Sequence, residues 1–289
     1  MSFYNYTLRI SLLMLAVLLF SNCNRKPASF LSTEIKLAWL SSPSLNTPES
    51  VLYDAARHQL YVSNINGDPS KKDGRGYISI LDTNGNIREH NWVDGLDAPK
   101  GMAMSSGHLF VSNITEIVEI DIESAKITGR YAIPGSEFLN DLAADDSGTI
   151  YATDSKKACI YKLYQGKIST FASGPELDGC NGLLLEGNYL LIGAANSILK
   201  ADLISGKPLM YIDSIGPVDG LKALGNNEYI VSDWAGAISR VGEGKTKVVL
   251  LDKSGEKINA ADFEFLPGSG LILVPTFFDN RIRAYKITR

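Results

Sequence analysis

Six copies of one short pattern recur in this chain at a spacing near 40 residues, and that period restricts what it can fold into more than any other feature. The copies read YVSN (61–64), FVSN (110–113), YATD (151–154), LIGA (191–194), IVSD (230–233) and, more loosely, ILVP (272–275), at successive steps of 49, 41, 40, 39 and 42 residues. A repeat of this length is one supersecondary unit, in the range of a propeller blade. Such a unit cannot bury both faces alone, so the copies must stack. The 289 residues are long for one domain, but closed all-β repeats reach this size as a single unit.

Within each repeat, short strands alternate with turns, and no 3.6-residue apolar stripe is long enough for a substantial helix. Repeats one to five each contain four strand candidates, as in DLAADDSGTIYATD (141–154) followed by ACIYKLYQGKISTFA (158–172). Repeat six, DFEFLPGSGLILVP (262–275) and NRIRAYKI (280–287), stops after three. IKLAWL (35–40) lies ahead of the first repeat and belongs to no other, so it can supply the missing strand beside 280–287. That pairing would remove both open sheet edges. The expected fold is all-β: a six-bladed β-propeller of four-stranded antiparallel blades over 34–289, closed by an N-terminal strand pairing in the last blade. Repeat one is lengthened by NGDPSKKDGRG (66–76), a surface loop that either shades one mouth of the central channel or is a neutral insertion.

Ahead of the repeats, Arg9 is the only basic residue before the apolar run ISLLMLAVLLF (10–20). Eleven residues, ten of them apolar, are too few to span a bilayer but suit the centre of a secretory signal, so export is expected. Cys23, directly after that run, resembles a bacterial lipoprotein cysteine, although Asn22 departs from the small residue usual before it. The expected organisation is a signal peptide over 1–23 ending in the lipoprotein cysteine, a tether over 24–33, and then the propeller. It places the protein in the periplasm or anchored to the outer membrane through a lipid on Cys23. The alternative is ordinary secretion. Cys159 and Cys180 form no zinc signature; they either pair or serve as small buried hydrophobes. A net charge of −4, with Lys and Arg scattered, gives no footprint for nucleic acid.

At the blade starts the chain reads PESVLYD (48–54), FLNDLAADDSGTIYATD (138–154), CNGLLLEGNYLL (180–191) and VDGLKALGNNEYIVSD (218–233). These resemble the senescence marker protein, gluconolactonase and luciferin-regenerating family of six-bladed propellers, related more distantly to paraoxonases and strictosidine synthase. The resemblance covers about 34–289. It implies that Glu49 is the blade-one carboxylate ligand of a divalent ion, Asn140 an amide near or in its coordination sphere, and Asn181 an amide-oxygen ligand. Asp219 would be a carboxylate ligand that doubles as catalytic base. In blade one Ser50 stands where the family has glycine. A likeness to Asn-His-Leu repeat propellers is one of repetition alone.

The chemistry of the residues agrees with that assignment. Two carboxylates and two amide oxygens make a hard-oxygen site suited to Ca²⁺ first, with Mg²⁺ or another divalent ion as the alternative. Asp and Asn at strand entrances can instead cap turns through their own backbone. A bound ion would polarise a lactone or ester carbonyl and lower the pKa of water, with Asp219 accepting the proton. There is no Gly-x-Ser-x-Gly nucleophile, and His58, His90 and His108 lie away from the blade starts. Family members acting on sugar acids often carry an arginine where this chain has Phe138, so a more apolar small-molecule substrate is expected. Trp234 and Phe277 are candidate aromatic walls or core residues. Asp154 and Asp233, at the ends of the recurring strands, either reach substrate or form structural hydrogen bonds. Two functions follow: an exported metal-dependent hydrolase of lactones or related esters, or a non-catalytic propeller binding a small molecule, glycan or peptide at the bacterial surface.

Overall fold

The structure, a computed structural model, describes residues 35–287. The expected signal segment, Cys23 and the tether lie outside the described residues. Among the described residues twenty-four strands form six four-stranded antiparallel sheets. β1 (Ile35–Leu40) stands ahead of blade one, which is built from β2 (Pro48–Asp54), β3 (Gln59–Asn64), β4 (Gly76–Asp82) and β5 (Ile87–Leu96). Blade two has β6 (Pro99–Ser105), β7 (His108–Asn113), β8 (Glu116–Asp121) and β9 (Lys126–Ala132). Blade three has β10 (Leu139–Ala144), β11 (Ile150–Asp154), β12 (Cys159–Tyr164) and β13 (Lys167–Ser173). Blade four has β14 (Leu183–Glu186), β15 (Tyr189–Gly193), β16 (Ser197–Asp202) and β17 (Pro208–Asp213). Blade five has β18 (Leu221–Gly225), β19 (Glu228–Asp233), β20 (Ala237–Gly242) and β21 (Val248–Asp252). β22 (Glu264–Leu266), β23 (Leu271–Pro275) and β24 (Ile282–Ile287) supply the rest of blade six.

The closure occurs as the strand count requires. β1 pairs antiparallel with β24, from Ile35 opposite Ile287 to Leu40 opposite Arg283, with an irregularity between Leu37 and Trp39. Ser41 extends the seam by donating its N–H to Ile282 O at 3.0 Å and accepting Ile282 N–H on Oγ at 2.9 Å. Apolar side chains from neighbouring blades then fuse into clusters around the ring. Tyr61 and Ile78 of blade one pack with Met102 and Leu109 of blade two, while Leu60 and Val62 on the other side pack with Leu273 and Ala284 of blade six. The recurring YVSN-type strands are the buried second strands that feed these layers. Deleting the chain through Leu40 is expected to cost about 2–5 kcal/mol, from the lost packing of Ile35 and Trp39 and an exposed β24 edge. The measurement is the urea midpoint against a control truncated ahead of residue 34; equal midpoints would show the ring does not depend on this strand.

The insertion stands over the central channel. Gly67 and Pro69 line a cavity at its mouth, and Gly74 N–H donates to Asp97 Oδ1 at 3.0 Å, tying the loop to the entry of blade two. Cys159 and Cys180 are buried free thiols. Burial pushes the Cys180 thiol up to about 12, as suits an inert core residue.

Candidate functional site: a ring of blade-entry side chains

The inner strands bring six residues far apart in sequence to one level of the channel. In blades one to three the first inner-strand residue (Pro48, Pro99, Leu139) pairs with the last residue of the second strand (Asn64, Asn113, Asp154). The next residue, Glu49, Lys100 or Asn140, therefore occupies an equivalent position in each blade. Asn181 and Asp219 join this level by donating their N–H groups to Gly193 O at 2.9 Å and Ser232 O at 2.8 Å. Ser112 Oγ donates to Asn140 O, and in the same way Ser232 Oγ donates to Ala261 O at 2.9 Å, which marks Ala261 as the sixth member. A cavity of about 420 Å³ opens here, with Glu49, Lys100, Asn140, Asn181 and Asp219 in its lining. Ile65, Phe138, Trp234, Phe277 and Phe278 form much of its apolar wall. A second cavity of about 460 Å³, between Tyr53, Asn84 and Glu264, contains no ring residue.

All four residues expected as ligands thus line one cavity. Glu49 Oε2 and Asp219 Oδ2 are buried with no hydrogen-bond partner. Orphaned buried carboxylate oxygens are costly, and two in one cavity call for an ion, a proton or water. Asn181 Nδ2 donates to Asp219 Oδ1, and Asn140 Nδ2 donates to Ser155 Oγ at 3.2 Å. Each amide donates an N–H to a neighbouring side chain and keeps an oxygen to offer. The donor set therefore fits a hard divalent cation. Among the described residues no group of three or more His, Cys, Asp or Glu side chains is arranged for a metal, so any ion here relies on the asparagines.

Electrostatics supports the same reading. Burial holds the Glu49 carboxyl well above its usual range, and the Asp219 charge adds to this while Lys100 opposes it. Burial, then the Asp262 charge, pushes Asp219 up to about 8, against the lowering effect of the Asn181 hydrogen bond. A second layer lies just beyond the ring, where Ser50, Gly101, Asp141, Gly182, Gly220 and Asp262 follow the six members. Asp262 Oδ2 accepts the Ser50 hydroxyl at 2.6 Å, and its Oδ1 lies 3.8 Å from Lys222 Nζ. Serine at position 50, where the resembled family has glycine, is accordingly a donor to Asp262. A Cβ at Gly101 would stand 2.4 Å from Asp141 Oδ1 and 2.5 Å from its Cα, so only glycine leaves room for that carboxylate.

The recurring strand ends have a different task from the ring. Asp154 is wholly buried; Oδ2 accepts Glu137 N–H at 2.8 Å and Oδ1 accepts Phe138 N–H at 3.1 Å, with the amides of Lys156 and Lys157 also on Oδ1. The expectation that Asp154 reaches substrate gives way to its other reading: it fixes the segment two residues ahead of Asn140. Asn113 does the same for blade two, accepting the N–H groups of Asp97 and Ala98 just ahead of Lys100. Asp233 caps its own turn by accepting Ala235 N–H at 2.9 Å, yet it borders a shallow cavity with Asn181, Asp219 and Trp234.

Phe138, Trp234 and Phe277 all line the main cavity. Phe277 is buried and meets Trp234 edge-on at 5.6 Å between ring centroids. Its backbone is left-handed (φ 47°), uncommon for a bulky residue and a form of strain that gathers at functional sites. None of the three histidines lines this cavity.

Lys100 and Phe278 were not among the expected site residues. Lys100 was legible, since Pro99-Lys100-Gly101 occupies the same place in its repeat as Pro48-Glu49-Ser50. Phe278 follows the loosest recurring match, ILVP (272–275), and nothing in its spacing marks it.

The fold and site define a six-bladed propeller with a polar ring under an aromatic mouth. No protein-family model matches the chain, and no curated protein matches it by sequence. Among solved structures it is similar to a putative gluconolactonase, with a TM-score of 0.64 and 14% identity over 88% of this chain and 91% of that one. It is similar to a catalytically inactive virginiamycin B lyase from Staphylococcus aureus with quinupristin, with a TM-score of 0.62 and 15% identity over 88% of this chain and 100% of that one. A chain of a nidogen/laminin complex also aligns, with a TM-score of 0.58 and 13% identity over 69% of this chain and 77% of that one. At these identities the likeness is one of architecture, and a gluconolactonase propeller stands among the neighbours, in keeping with the resemblance of the blade-start motifs.

Proposed function

We propose that the protein is an exported, metal-dependent hydrolase of lactones or related esters, acting at the ring cavity. The observation that carries this reading is the pair of orphaned, buried carboxylate oxygens on Glu49 and Asp219 beside two asparagines with uncommitted amide oxygens. Two of the structural neighbours bear the names of enzymes. A divalent ion held by Glu49, Asn140, Asn181 and Asp219, with Ca²⁺ the best match, would supply Lewis acidity toward an ester carbonyl and ease the ionisation of water.

The chain's own residues provide the rest. Asp219 sits where a carboxylate can take a proton from water, and the Asn181 hydrogen bond holds one of its oxygens in place. The proton then passes to the departing alkoxide, which in a lactone stays attached as the hydroxyl of the product. Phe138, Trp234, Phe277 and Phe278 receive the apolar part of the substrate and keep bulk water off the carbonyl. Pro69 and Gly67 of the insertion narrow the entrance.

The test is a panel of aliphatic and aromatic lactones and esters with Ca²⁺ present and after chelation. Turnover that disappears on chelation supports the reading; Ca²⁺ binding with no turnover across the panel would make this a binding propeller instead. Export through a lipid anchor is a separate proposal, resting on the 10–20 apolar run and Cys23. Intact-mass measurement of the membrane fraction is expected to find a chain beginning at a diacylglycerol-modified Cys23, and an unmodified mature chain would refute the anchor.

A further inference from the structure

Lys100 is the least explained member of the ring. It is 2% exposed, and its ammonium donates to Pro69 O at 3.1 Å and Ala98 O at 3.2 Å. Both hydrogen-bond partners are neutral, and Glu49 is the carboxylate whose charge acts on the ammonium, from beyond ion-pairing distance. A second ammonium reaches the same place. Lys100 Nζ lies 4.3 Å from the centroid of the Phe138 ring and Lys156 Nζ 4.9 Å from it, while among the described residues neither ammonium has a carboxylate within ion-pairing distance. Two cations that repel each other are thus gathered on one aromatic ring, Phe138, which lines the cavity together with Lys100.

The cavity wall at Phe138 therefore carries positive charge. The opposite wall is apolar: Trp234, Phe277 and Phe278 stack edge to face, with centroids 4.8–6.2 Å apart, and Phe278 is 68% exposed. A ligand that satisfies both walls has an anionic head and an apolar body.

We propose that the ring cavity is a receptor for amphiphilic carboxylates, with the head bound at the Lys100–Phe138–Lys156 corner and the apolar body held by Trp234, Phe277 and Phe278. The proposal deepens the hydrolase reading, since opening an apolar lactone yields such a carboxylate. It rests on that reading in one respect: a divalent ion offsets the two negative charges of Glu49 and Asp219, which leaves the lysines to set the sign of the site.

Calorimetric titration of the full-length protein with octanoate and with octan-1-ol, in the presence of Ca²⁺, provides the test. The wild type is expected to bind octanoate roughly ten- to a hundredfold more tightly than the alcohol, the range for a charge-assisted hydrogen bond. Lys100→Met is expected to abolish that preference, and Lys156→Met, at an exposed position, to reduce it with the fold intact. A wild type with equal affinity for acid and alcohol, or a Lys100→Met protein that keeps the preference, would overturn the proposal. The Ca²⁺-induced rise in melting temperature, recorded for every variant, separates the two ideas. Its absence in the wild type removes the metal reading, whereas its presence alongside equal acid and alcohol binding removes only the carboxylate receptor.

Discussion

Replacing Asp219 by asparagine is expected to lower lactone turnover by about 10²- to 10⁴-fold, the range for loss of a positioned general base. Asparagine keeps the shape and the acceptor for the Asn181 N–H, while its amide nitrogen, in place of Oδ2, cannot take a proton. Asp219 is buried, accepts from Asn181 on one oxygen, and leaves the other without a partner in the cavity. The substitution also removes an ionisable group from a place where burial disfavours its charge, so the variant should fold at least as well as the wild type in the absence of metal. Initial rates with verified Ca²⁺ occupancy decide the matter: equal rates in both proteins would eliminate the proposed base. A loss confined to KM would instead assign Asp219 to substrate binding.

The second large effect concerns stability. Glu49, Asp141 and Asp219 all have carboxyl groups raised above their ordinary values, in each case mainly by burial, and Asp219 reaches about 8. In the metal-free folded protein these groups hold protons that the unfolded chain releases near pH 4. The stability they confer is complete below that pH and is lost as pH rises through each group's raised folded value, about 8 for Asp219, at about 1.4 kcal/mol per pH unit for each group still protonated in the fold. Chemical denaturation in chelator across pH 4.5–8.5 is therefore expected to give a falling curve.

A cation at the ring reverses the preference for the protonated form. Added Ca²⁺ should flatten the curve and raise stability at pH 8, by about 3 kcal/mol once the ion is at roughly a hundred times its dissociation constant. Glu49→Gln is expected to stabilise the metal-free protein at pH 8 and to forfeit most of the gain from Ca²⁺. A curve that rises with pH in chelator would contradict the buried, uncompensated carboxylates described above.

How far the chain can be read without coordinates differs between its parts. The six-blade count, the turn positions and the missing fourth strand of repeat six were legible because blades depend on local alternation and repeat length, which are written along the sequence. IKLAWL (35–40) had to pair with 280–287 once every other strand had a partner, and β1 does so. Glu49, Asn140, Asn181 and Asp219 each open a blade, and the resemblance of their motifs to a propeller family singled them out. The same logic extended to Lys100, but a lysine does not belong to a metal-ligand pattern and drew no attention.

Asp154 illustrates the opposite limit. Its repeat position matched Asp233 at the level of residue type, yet Asp154 is consumed by backbone amides of the entering segment while Asp233 borders the Asn181–Asp219 side of the channel. The number of free amides near each carboxylate depends on the loop conformation between blades, and composition does not encode that number.

The sequence alone therefore determined the architecture and the set of polar side chains delivered to one end of the axis, since both follow from strict repetition. Tertiary structure decided which of those side chains remain unsatisfied, which cations gather on Phe138, and that Phe278 completes the aromatic mouth. The physical reason is that burial, desolvation and charge pairing are properties of groups brought together around the axis from blades some 40 residues apart, and the Coulomb and solvation energies of such a cluster depend on distances that only closure of the ring sets.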